Sequence, residues 1–274
     1  MKVFKDQPIL STARDSQGET RTKEFLEDVV KRMPPRFPLG QHHDMVSPYC
    51  GHMENFRVVS ASDAEEEWLI IADIYLESGK ISDAVGGFSY SFTAPHRNNG
   101  ADPEASIFLP FPYYNDETLI DELLNSDAPL AVGKWHKKSA DAGTIALIVS
   151  FIFFALGPAW QKLYDSRVHP VLVGVIRKLK ESAAAGLQYH YGFVVKDTAG
   201  RPANVYMIPA PQEALHLSQV AAFKRGLEVA MDFIQTDPKA KSLGLYLLKM
   251  RYNADTHEFA IFSAQFRDGS VQSY

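Results

Sequence analysis

Residues 40–55, GQHHDMVSPYCGHMEN, gather His42, His43, Asp44, Cys50, His52 and Glu54, the densest set of potential metal ligands and nucleophiles in the chain. Imidazole, thiolate and carboxylate are the groups that zinc accepts, and a segment carrying Gly40, Pro48 and Gly51 can bend them around one ion. The chemistry this points to is a metal-dependent hydrolase, with zinc on His42, His43, Cys50 and His52 and with Asp44 or Glu54 as base. The spacing argues the other way. No His-x-x-x-His pair is present here, adjacent His42 and His43 ordinarily point apart, and none of the standard zinc spacings occurs. A solvated loop is the simpler account, and zinc remains the alternative.

Cys50 is the single cysteine, so the chain forms no intramolecular disulfide and no multi-cysteine site. As a nucleophile it would need a base such as His52 beside it. A lone cysteine is more often a small buried apolar residue. The remaining motifs are weaker. GGFSYS at 86–91 lacks the second glycine of a nucleophile elbow and alternates like a strand, Phe88 and Tyr90 opposite Ser89 and Ser91. Glu65, Glu66 and Glu67 form a solvated acidic run, and Asp268-Gly269 is turn chemistry. There is no phosphate-cradling glycine loop and no His-Glu-x-x-His pair, which removes most of the case for nucleotide hydrolysis or zinc proteolysis.

The elements that must position these residues form an α+β pattern. Hydrophobic residues at 46% and charged residues at 22% place the chain among folded proteins. A net charge of −5, with basic residues spread along the sequence, disfavours a nucleic-acid partner. The first 25 residues lack the apolar core of a signal peptide.

Phe25, Leu26, Val29, Val30 and Met33 share one face of a helix over 21–33, which Pro34-Pro35 ends. FRVVSA, EWLIIADIYLE, AVGGFSYSFTA and ASIFLPF read as strands, and NDETLIDELLNSD as a short helix capped by Asn115 or Asp116. A helix from Pro170, a hairpin turning at 197–202, an amphipathic helix over 214–236 and a hairpin turning at NADTH complete the C-terminal part. In the long helix Val220, Phe223, Leu227, Ala230 and Ile234 face inward and Arg225, Glu228, Asp232 and Gln235 outward. The order hairpin, helix, hairpin resembles profilin-like and longin-like scaffolds in topology. That resemblance implies a helix crossing one face of a small antiparallel sheet and brings no function with it.

Between the two parts lies GTIALIVSFIFFALGPAW, inside a charge-free run from 142 to 161. As a helix this run is about 30 Å long, close to the hydrocarbon thickness of a bilayer, and Trp135, Trp160 and Tyr164 sit where interfacial aromatics belong. A helix apolar all round must be enclosed on every side or lie in lipid. The expectation is therefore two antiparallel-sheet units with amphipathic helices, 1–135 and 165–274, joined by a strongly apolar helix at 142–161. A single membrane span is favoured over a cytoplasmic protein in which that helix is a buried centre. Lysines and arginines flank both ends and leave the orientation open. The functional expectation is a non-catalytic interaction protein, regulatory, assembly or inhibitor-type, with a protein partner. A soluble binding module and the metal-dependent hydrolase are the alternatives.

Overall fold

The computed structural model describes residues 1–15, 18–40, 49–61, 67–77, 91–98, 105–125, 130–137, 144–153, 162, 164–181, 188–197, 199–209 and 218–274. Their contacts define two compact units. One comprises Met1–Ser91, Lys137–Ala140 and Arg267–Val271, the other Phe92–His136, Asp141–Phe266 and Gln272–Tyr274.

In the first unit β1 (Lys2–Ser11), β2 (Arg36–Leu39), β3 (Gly51–Ser60) and β4 (Trp68–Leu76) make a four-stranded sheet in the order β1-β4-β3-β2, every neighbour antiparallel. Helix α1 (Lys23–Arg32) starts where the Thr22 side chain accepts a hydrogen bond from the Phe25 backbone N–H, and ends just before the two prolines. Its Leu26 and Val29 are buried with Leu39, Met53, Ile70, Ile74 and Leu76 in one core. Each large side chain so buried contributes about 1.5–3 kcal/mol. The period of two in β4 sends Ile70, Ala72, Ile74 and Leu76 into that core and leaves Ile71, Asp73 and Tyr75 on the opposite face.

The second unit contains β5 (Ser91–Asn98), β6 (Ala105–Pro110), α2 (Glu117–Leu124), β7 (Leu130–Lys137), β8 (Thr144–Phe153), α3 (His169–Glu181), β9 (Gln188–Lys196) and β10 (Pro202–Ile208). After them come α4 (Ser218–Thr236), α5 (Pro238–Leu243), β11 (Leu245–Asn253), β12 (Glu258–Phe266) and β13 (Val271–Ser273). The strands form a nine-stranded sheet in the order β13-β12-β11-β10-β9-β8-β6-β7-β5. Through β8 this sheet joins β5 to β7 with β9 to β13, strands that the sequence reading assigns to two separate parts, 1–135 and 165–274.

The pairs β6/β7, β8/β9 and β10/β11 are parallel, whereas β6/β8, β9/β10 and β11/β12 are antiparallel. The expected purely antiparallel second unit is thus corrected to a mixed sheet. Parallel neighbours need a crossover, and α2, α3 and α4 with α5 supply one for each pair. The sheet beneath α4 is also larger and more mixed than profilin-like or longin-like topology implies. Along α4, Phe223, Leu227, Ala230 and Ile234 are buried, while Arg225, Glu228, Asp232 and Gln235 are exposed. Gly226 lets the helix lie close, because a Cβ there would stand 2.9 Å from Met207 Cε and 3.1 Å from Phe259 Cβ.

The apolar helix expected at 142–161 is corrected as well. Its described part, Thr144–Phe153, is strand β8, hydrogen-bonded to β6 on one side and β9 on the other. An interior strand flanked on both sides reads as a continuous Val-, Ile- and Leu-rich run, and over a short stretch such a run has no period that separates it from a buried helix. Ile145, Ile148, Val149 and Ile152 are β-branched, which suits a strand better than a helix. Among the described residues no helix is long and apolar enough to cross a membrane.

Candidate functional site

The face of the four-stranded sheet opposite α1 is where the charged side chains of the first unit converge. Two backbone irregularities prepare it. Asp6 and Asn55 adopt left-handed φ values of 56° and 58°, at register shifts between Phe4 and Gln7 on β1 and between Glu54 and Arg57 on β3. Such bulges re-aim the groups around them. Both are tied to Asp73 on β4, which is 5% exposed. Its Oδ2 accepts from Lys5 Nζ at 2.8 Å and from Asn55 Nδ2 at 2.8 Å, and its Oδ1 accepts from the Asp6 backbone N–H at 3.1 Å. The Lys5 hydrogen bond, then that of Asn55, holds the Asp73 carboxyl below the usual carboxylate range. Asp73 in turn raises the ammonium of Lys5, which also lies 5.5 Å from the centre of the Tyr75 ring. Arg57 pairs with Asp6 beside this knot.

Next to it on the same face, the rings of His52 and Tyr75 stack at 4.8 Å with planes 3° apart. His52 Nδ1 lies 2.8 Å from Arg36 Nη2 and 3.5 Å from Glu77 Oε1, and Nε2 lies 3.3 Å from Glu54 Oε1. Arg36 also reaches Glu77 at 3.4 Å. Burial, then the Arg36 guanidinium, lowers the imidazole below its ordinary value; Glu54 and Glu77 oppose that shift and are outweighed. The ring of charges is solvated: the side chains of Lys5, Arg36, Arg57 and Glu77 are all more than a third exposed.

The ligand-rich segment is divided by the fold. His42, His43 and Asp44 lie outside the described residues, as do Ser89, Glu65 and Glu66. Cys50 is 1% exposed, donates from Sγ to the Leu39 carbonyl at 3.4 Å and belongs to the apolar core, where burial pushes its thiol up. That is the reverse of nucleophile activation. His52 and Glu54 come together on the polar face instead. Among the described residues no group of three or more His, Cys, Asp or Glu side chains is arranged to hold a metal ion.

Sequence reasoning missed Lys5, Arg36, Asp73, Tyr75 and Glu77. One signal was present: an aspartate in the middle of the apolar strand LIIADIYL must be paired if it is buried. Compared with family models, curated proteins and solved structures, the chain matches none of them.

Proposed function

We propose that the chain is a non-catalytic interaction protein, of the regulatory, assembly or inhibitor kind, which recognises a protein partner through the polar face of its four-stranded sheet. The observation that carries this is the solvated ring of Arg36, Glu54, Glu77 and Lys5 around the stacked His52 and Tyr75. Its charges satisfy one another, so they sit in a fixed arrangement that a partner of complementary charge can match. Tyrosine and arginine are also the side chains that most often dominate protein interfaces.

The face is a better candidate than the edges. Lys2, Lys5, Pro8 and two register shifts blunt β1, and β2 is four residues long with Pro38 inside it. A tether through 142–161 loses its support because the described part of that segment is a paired strand. The metal-dependent hydrolase keeps no described ligand set.

Site-specific photo-crosslinking in the native cell tests the reading. A crosslinker replacing Glu77 yields one discrete protein adduct that Arg36→Glu abolishes, while a crosslinker replacing Glu228, exposed on α4, does not yield it. The same products from both positions, or none from Glu77, would contradict it.

A further inference from the structure

We draw no further inference here: the strongest candidate, the buried polar cluster of Lys249, Ser263 and Gln265 on the face of β11 and β12 turned away from α4, where Gln265 Nε2 has no hydrogen-bond partner among the described residues, carries nothing because no described residue shows what covers it.

Discussion

Asp73 and Asp197 are both buried carboxylates, 5% and 3% exposed, and both are held below the usual range, yet they are built from different parts of the chain. Asp197 closes its own turn. It accepts from the Ala199 backbone N–H at 2.9 Å, the Arg201 backbone N–H at 2.8 Å and Arg201 Nε at 2.7 Å. Burial pushes its carboxyl up, and the bonds from Arg201 and Ala199 together outweigh that effect. Asp73 takes its partners from two other strands, Lys5 and Asp6 on β1 and Asn55 on β3. The first arrangement is set by five consecutive residues; the second exists only when the sheet is in register. A local carboxylate steadies a turn, whereas a non-local one reports on a whole sheet.

The largest effect expected in the molecule lies in the apolar core of the second unit, against which both aspartates can be scaled. Leu227→Asp places an unpaired carboxylate between α4 and its sheet and should cost about 4 kcal/mol or more in a denaturant titration. Asp73→Ala should cost about 2–3 kcal/mol, since Asn55 and the Asp6 amide lose a charged acceptor and two bulges lose their tie. Asp197→Ala should cost less, about 1–2 kcal/mol, with the loss of protection confined to the β9–β10 hairpin in hydrogen exchange. An equal and global effect from both alanine variants would remove the distinction between the two sites.

Each carboxylate contributes stability that is complete above its ordinary value near 3.8 and is lost as pH falls through that value toward the folded one. Asp73→Asn and Asp197→Asn should therefore each flatten the acid limb of the stability curve. The smallest effect belongs to Arg225→Ala. Its exposed pair with Glu258 at 3.1 Å is worth little, and the midpoint should move by less than about 0.5 kcal/mol.

The same contrast explains what could be read from the sequence. Helix α1, the cap of α2, narrowed to Asn115 or Asp116 and found at Asp116, the buried face of α4 and the turn at 197–202 were legible, because each depends on spacings of two to four residues. Strand β1 was not, since KVFKDQPILS carries Lys2, Lys5, Asp6 and Pro8 and its edge position and bulges break the alternation. Strand β8 was misread for the opposite reason: pairing on both sides leaves no polar period to distinguish strand from helix. At the candidate site His52 and Glu54 stood out by composition. Their partners did not, because Arg36 is 16 residues from His52 and Lys5 is 68 from Asp73, and only strand register brings them together.

The central claim is that this polar face is held together by its own side chains rather than by an ion. The most direct test is the metal content of the purified chain, together with its melting temperature with and without a chelator, in wild type and in a His43→Ala plus His52→Ala variant. Losing the His52 stack lowers stability in the variant by itself, so the response to chelator is the quantity that decides. The account predicts substoichiometric zinc and a melting temperature that chelation leaves unchanged in both proteins. Stoichiometric metal in wild type, with a melting temperature that falls on chelation there and not in the double variant, would contradict it, because an ion's binding energy is linked to folding.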